Sequence, residues 1–266
     1  MKRKCFLVKI ISVLLCLFVV YSSTTIATEG HNDLFTHDEI GEKSVLELYD
    51  EFVSKNPQSV SPKSTGEEII DEFVSYAIDN GYIGDTAQER AAITIAFLRA
   101  QFNIIANTCN VIGLDMAAEC LRHSLNNSPS DLSYGPNSSF SKSILDSTEC
   151  AGIISTAINK ARSANFNVVG YYYSGTATLN STTDLHLSLN KVKYSVSLTR
   201  NSRGSRLWTV KIVFKDVYDF NKQDWANDMT NSTIVTIVNN YAAIAQKEGA
   251  IVPYDIEVDV KKSFYT

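Results

Sequence analysis

Two aspartates flank a tyrosine in the stretch Asp216-Val-Tyr218-Asp219, which directly follows a segment with the alternating pattern of a strand. Side chains at the end of a strand can project into a cleft. Two carboxylates three residues apart, with a phenol hydroxyl between them, could bind a divalent cation or share acid and base roles. Asp216 and Asp219 are therefore candidate metal ligands. The alternative is a turn in which Asp219 hydrogen-bonds its own main chain, and the spacing by itself favours that turn.

The same residues resemble a known motif. The spacing of Asp216, Tyr218 and Asp219 is similar to the Asp-x-Tyr-Asp motif in the catalytic domain of the colicin M family. These bacteriocins cleave the lipid-linked peptidoglycan precursor with magnesium present. The resemblance covers only the C-terminal part of the chain. It implies a hydrolase of phosphorylated envelope lipid, with the three residues as catalytic groups and Mg²⁺ as cofactor.

The chain departs from that family just after the motif. The family carries a His-Arg pair there, whereas Lys222 to Asp228 contains neither residue, and no histidine follows His186. Phosphoester cleavage without a proton acceptor or a cation loses much of its catalytic power. His186 is the substitute candidate, provided that its predicted strand lies beside Asp216.

A second resemblance spans nearly the whole chain. It is carried by four segments that look like a group of uncharacterised secreted proteins from Gram-positive bacteria: Leu121–Leu125, Leu179–Leu185, Asn240–Gln246 and Pro253–Ile256. This resemblance implies secretion and no particular activity.

The sequence patterns before and around the motif predict an α+β fold. Residues 34–164 show helical periodicity, broken by Asn, Gly and Pro signals. Residues 165–266 alternate β-branched and aromatic residues, which predicts an antiparallel sheet covered by one helix at 233–248. Within the sheet we expect strands at 167–179, 184–198, 207–216 and 256–260, with a bulge near Asn190. The boundary between a helical domain and a sheet domain is placed at 164/165.

The first 27 residues have the layout of a secretory signal peptide. Lys2, Arg3 and Lys4 precede an apolar run, and Thr25 and Ala27 supply the small residues before a cut after Ala27. The uninterrupted apolar run, residues 10–21, is shorter than the roughly 20 residues that a membrane-spanning helix needs. The chain is therefore predicted to be secreted or extracellular, with cell-wall association open and no transmembrane segment after cleavage.

Charge argues against nucleic acid as a partner. The chain has 24 Lys and Arg against 29 Asp and Glu. Removing Lys2, Arg3, Lys4 and Lys9 with the leader leaves 20 against 29, a formal charge of −9. Phosphate neutralisation needs a basic face. The basic stretch from Lys191 to Arg206 fits solvated strand faces and a charged hairpin better than an anion-binding patch.

Three cysteines remain after the leader: Cys109, Cys120 and Cys150. Three cysteines in a chain of this length do not make a disulfide-dense scaffold. We therefore expect buried thiols, with a single disulfide as the alternative. Cys120 and His123 share a helix face, but a catalytic cysteine normally takes its base from a distant segment.

Two functions follow from these patterns. The first is a non-enzymatic secreted protein whose sheet domain binds a cell-envelope component or another protein. The alternative is a bacteriocin-like or toxin-like hydrolase that uses Asp216, Tyr218, Asp219 and His186.

Overall fold

The structure, a computed structural model, describes residues 39–40, 43–58, 66–220 and 241–266. The predicted signal peptide lies outside these ranges, as does the first half of the helix predicted at 233–248, whereas residues 241–247 are helical. The protein has an α+β fold, as predicted. The elements in chain order are β1 (Glu39–Ile40), β2 (Lys43–Ser44), α1 (Val45–Lys55), α2 (Gly66–Asp79), α3 (Ala87–Val111), α4 (Asp115–Ser124), β3 (Leu132–Tyr134), α5 (Ser139–Leu145), α6 (Thr148–Ser163), β4 (Gly170–Thr178), α7 (Thr183–Leu189), β5 (Lys191–Arg200), β6 (Leu207–Tyr218) and β7 (Tyr254–Tyr265).

Five strands form the main sheet, in the order β3-β7-β6-β5-β4. Neighbouring strands are antiparallel except for β3, which pairs parallel to β7 through Leu132 and Ile256. The side chains of β6 alternate between a buried core face and an outer face, as strand geometry requires. The strand predicted at 207–216 is present, and on its core face Trp208 and Phe214 are both at most 1% exposed.

The prediction of a strand over 184–198 is wrong in its first half. Thr183–Leu189 is helical, and the Thr182 hydroxyl accepts a hydrogen bond from the Leu185 N–H as an N-cap. The apparent bulge is the end of this helix at Asn190, after which β5 begins at Lys191. The alternation of Leu185, Leu187 and Leu189 is typical of a strand, which explains the wrong prediction. The helix N-cap at Thr182 outweighs this three-residue pattern.

The chain divides into two compact units, and neither is continuous in sequence. One unit contains the described residues up to Thr108, together with Leu125–Asn127, 219–220 and 241–252. The other contains Cys109–Ser124, Ser128–Tyr218 and Pro253–Thr266. This second unit holds the whole main sheet together with α4 to α7. We call it the sheet unit and the other the helical unit.

An aromatic cluster forms the core of the helical unit. Ring centroids of Tyr49, Phe73 and Phe97 lie 4.7 to 5.7 Å apart, and the Phe52 ring contacts both Tyr49 and Phe73. Such pairs add to the stabilisation from buried area. Around this core, α1 begins at a Ser44 capping box and α3 begins after Thr86, whose hydroxyl accepts a hydrogen bond from the Glu89 N–H.

Helices of the sheet unit pack on the core face of the sheet. Residues Phe140, Ile144 and Cys150 of α5 and α6 are fully buried, as is Leu185 of α7. None of the helices in the described part of the chain is both long and apolar enough to cross a membrane.

Candidate functional site

Asp216 occupies an unusual position near the end of β6. Strand alternation places it on the core face, in register with the buried Ile256 and between Phe214 and Tyr218. Among the sheet residues that the structure describes, it is the only carboxylate on this face. It is half-buried, and its Oδ1 accepts a hydrogen bond from the Val217 N–H at 3.0 Å. A carboxylate on a core face is costly unless it is partnered, so such positions frequently serve chemistry.

Tyr218, two residues further along the same face, is buried at 8% exposure. Its ring lies 5.5 Å from the ring of Tyr254, its register partner on β7. Burial raises the pKa of the Tyr218 hydroxyl well above its usual value. Tyr218 packs against Tyr254 and so holds the end of β6 in place. Because its hydroxyl stays protonated and is largely shielded from solvent, Tyr218 is poorly placed for proton transfer.

Tyr254 continues this buried group. Its hydroxyl donates to the Cys120 carbonyl at 2.9 Å, and the His123 ring meets the Tyr254 ring edge-on at 4.6 Å. The Cys120 side chain is fully buried, and burial raises its pKa to about 12, with nearby negative charges including that of Asp216 adding to the effect. A thiol in this environment is not a nucleophile at neutral pH. The three cysteines are buried as free thiols, as the sequence predicted.

Asp219 belongs to the helical unit, whereas Asp216 and Tyr218 belong to the sheet unit. Asp219 is exposed, and the next residue, Phe220, donates its N–H to the Gln246 Oε1 at 2.8 Å. The acidic residues that follow the motif, Asp224 and Asp228, lie outside the described residues.

His186 lies on α7 and not on the strand that the sequence predicted. It is half-buried, its Nδ1 has no hydrogen-bond partner within the described ranges, and burial lowers the pKa of its ring. A neutral imidazole with an unused nitrogen can accept a proton. Of the four predicted site residues, the structure therefore places Asp216 and Tyr218 on one strand face and His186 on a separate helix of the same unit.

A cleft of about 530 Å³ lies at the end of the sheet, beside the motif. Alternation places its lysines and the carboxylates of Asp255 and Glu257 on the outer face of the sheet, whereas Asp216, which also lines the cleft, lies on the core face. Sequence reasoning treated its lysines as a solvated strand face and missed the cleft, although Lys191 and Lys193 do occupy alternate positions on one face. The lining residues are Asp131, Leu132, Ser133, Lys191, Lys193, Lys215, Asp216, Val217, Asp255, Ile256 and Glu257.

Carboxylate oxygens such as those of Asp216 are the ligands that Mg²⁺ prefers. Within the described ranges, however, no group of three or more His, Cys, Asp or Glu side chains is arranged to hold a metal ion. We therefore derive no reaction step through a cation.

Comparison with known proteins identified no matching family model and no matching curated protein. Among solved structures, the chain is similar to PaeM, a colicin M-like bacteriocin produced by Pseudomonas aeruginosa. The identity is 11%, the match covers 92% of this chain and 98% of that one, and the TM-score is 0.36. It is also similar to a truncated bacteriocin, syringacin M, from Pseudomonas syringae pv. tomato DC3000. Here the identity is 13%, the coverage 82% and 97%, and the TM-score 0.33. The structural neighbours are thus colicin M-like bacteriocins, at a similarity too low to show family membership.

Proposed function

We propose that this protein is a secreted, bacteriocin-like hydrolase that acts on a phosphorylated envelope lipid, with Asp216 as its principal catalytic carboxylate. The observation that carries the proposal is the position of Asp216 on the core face of the sheet, half-exposed at the end of a strand. The motif that Asp216 shares with Tyr218 and Asp219 supports the same assignment, because it resembles the Asp-x-Tyr-Asp motif of the colicin M family.

The proposed reaction is the hydrolysis of a phosphoester. Water adds to phosphorus, the bond from phosphorus to the leaving oxygen breaks, and one proton moves from the water to the leaving group. Asp216 accepts the proton from the attacking water and returns it to the leaving oxygen. Tyr218 is a positioning residue that fixes the end of β6, and the neutral ring of His186 is the second candidate proton acceptor.

The site of action follows from the predicted leader. A signal peptide at residues 1–27 would deliver the protein beyond the cytoplasmic membrane, where phosphorylated lipid precursors of the cell wall are accessible. The formal charge of −9 after cleavage is compatible with a small lipid-linked substrate and disfavours nucleic acid.

The test is a product assay with purified protein that begins at Thr28. Lipid-linked peptidoglycan precursor is incubated with and without Mg²⁺, and the released phosphorylated product is quantified. Loss of an acid–base group typically lowers the rate 10² to 10⁴-fold, so we expect a decrease of about that size for Asp216→Asn and a smaller one for His186→Gln. Asp259→Asn is the matched control, because Asp259 lies on the outer face of the same sheet, paired with Lys211 at 2.7 Å. Equal activity of Asp216→Asn and parent would refute the proposal.

Non-enzymatic binding of an envelope component is the second candidate. Two observations favour it: Tyr218 is buried, and the lysines of the cleft beside the motif lie on the outer face of the sheet, opposite the core face that carries Asp216. Equilibrium binding to the same precursor without product release, and without loss of affinity in Asp216→Asn, would select this function over hydrolysis.

A further inference from the structure

The cleft at the end of the sheet has an unequal distribution of charge, and we refer to it as the dipolar cleft. Its cationic side is formed by side chains of β5 and β6, and its anionic side by β7 and the segment before β3. The charged residues on its outer face are Lys191, Lys193 and Lys215 on the cationic side, and Glu257, Asp255 and Asp131 on the anionic side.

The cationic side brings like charges together. Lys193 of β5 lies directly opposite Lys215 of β6, and such a cross-strand pair is destabilising by itself. Glu257 of β7 neutralises only Lys215, with Nζ and Oε2 2.6 Å apart. Lys191 and Lys193 are exposed, and no ion pair to either is found in the part of the chain that the structure describes. Among the residues that the structure describes, these two positive charges therefore face the cleft without a paired carboxylate.

The anionic side also brings like charges together. Asp255 is exposed, and its N–H donates to the Asp131 Oδ1 at 3.2 Å, which brings the second carboxylate to the same rim. Neither carboxylate forms an ion pair with a described residue. The central Lys215–Glu257 pair separates the two sides, and since β5 and β7 are two strand spacings apart, the opposite rims lie about 10 Å from each other at the main chain.

We propose that the dipolar cleft binds a zwitterionic phosphate ester that carries an ammonium group, such as a phosphoethanolamine headgroup. The phosphate contacts Lys191 and Lys193, which supply six N–H donors as point charges. The ammonium group contacts Asp255 and Asp131. Lysine side chains are long and flexible, so a headgroup shorter than the main-chain separation can contact both rims.

The proposed ligand contacts lie on the outer face of the sheet, whereas Asp216, which also lines the cleft, lies on the core face. Binding of the headgroup therefore uses side chains other than the proposed catalytic carboxylate. An anion without an ammonium group fits less well, because the carboxylates on the anionic side repel it. An amine without a phosphate group also fits less well, because the lysines on the cationic side repel it.

The first experiment is titration calorimetry of the protein with O-phosphoethanolamine at low salt, in the presence of EDTA. Inorganic phosphate and ethanolamine are the comparison ligands, and both should bind at least fivefold more weakly. Lys191→Ala with Lys193→Ala should weaken O-phosphoethanolamine binding about tenfold or more, since charged hydrogen bonds are lost. Asp255→Asn should remove the preference over inorganic phosphate.

A control variant separates the cleft from general electrostatics. Lys261 lies on the outer face, opposite another lysine, Lys211, and does not line the cleft. Lys261→Ala should leave the affinity unchanged. The readout is equilibrium binding of O-phosphoethanolamine and not product release, so failure of the hydrolase proposal and failure of this one give different results.

A second arm distinguishes a lipid headgroup from a free ester. Co-sedimentation with vesicles that contain phosphatidylethanolamine in phosphatidylcholine, compared with phosphatidylcholine alone, should show binding only to the former if the ligand is a lipid. Binding of the soluble ester alone assigns a free ester of the same chemistry. The proposal is overturned if inorganic phosphate binds as tightly as O-phosphoethanolamine, if Lys261→Ala causes the same loss as the double variant, if binding requires Mg²⁺, or if neither the ester nor the vesicles bind.

Discussion

The carboxylate of Asp184, at the start of α7, accepts a hydrogen bond at 2.8 Å from the N–H of Ala117, at the start of α4. A second bond comes from the neighbouring Met116 N–H at 3.2 Å. One helix thus caps the N-terminus of another from a distant point in sequence, and the negative charge also interacts favourably with the α4 dipole.

Replacing Asp184 with alanine should destabilise the sheet unit by about 1 to 2 kcal/mol, because two main-chain donors of α4 lose their acceptor. Chemical denaturation followed by far-UV circular dichroism measures this difference. Asp146→Ala, at an exposed C-cap position, should change stability by less than about 0.5 kcal/mol. Equal effects of the two variants would contradict the capping role.

Tyr254→Phe should cost about 1 to 2 kcal/mol. The variant removes the hydroxyl that donates to the Cys120 carbonyl and leaves a buried acceptor unsatisfied. Urea denaturation provides the measurement. Tyr265→Phe is the matched control at the exposed end of the same strand, where removal of the hydroxyl should have almost no effect.

The helical unit should lose stability in acid through Glu51. Hydrogen bonds from Lys43, Lys55 and Tyr76 hold the pKa of its carboxyl well below the usual value of 4.5. A carboxyl whose pKa is lowered by folding contributes stability above the unfolded pKa and loses it as the pH falls through the folded pKa. The melting temperature of the parent should therefore decline below about pH 4.5.

Glu51→Gln should flatten that acid decline, because the titrating group is gone, and should melt at a lower temperature than the parent at pH 7. Glu72→Gln, at an exposed position of α2, is the control and should keep the pH profile of the parent. An unchanged acid profile in Glu51→Gln would show that other groups dominate.

The thiols of the protein that begins at Thr28 should react slowly with a disulfide reagent at pH 8. Burial raises the pKa of Cys109 and of Cys150 to about 11, and that of Cys120 to about 12. A pKa of 11 leaves roughly one thiol in a thousand ionised at pH 8, and burial also blocks access. We expect three thiols to react rapidly in denaturant and at least 100-fold more slowly in the native protein. Fewer than three in denaturant would indicate a disulfide.

Local signals predicted many elements correctly. The strand predicted at 207–216 is β6, whose alternation puts Trp208 and Phe214 on the core face, and Thr86, a capping residue type, directly precedes the start of α3. Both signals act within a few residues of chain, so they can be recognised without knowledge of the remaining structure. The motif at Asp216 was likewise visible, because residue type and spacing are local properties.

Other features depended on distant partners. The three-residue strand β3 lies in a stretch without strand periodicity, and it exists only through parallel pairing with β7, more than 120 positions away. The dipolar cleft has the same origin, since Lys193 and Glu257 reach one surface only after β5, β6 and β7 are in register.

The residue order alone established the α+β class, the strand-end motif and the alternating faces of the sheet, because short-range sterics and hydrophobic periodicity act along the chain. Tertiary structure decided that Tyr218 is buried, that His186 lies on a helix, and that Asp216 and the lysines occupy opposite faces. These outcomes depend on which segments pack together, and packing energy is shared among residues that are far apart in sequence.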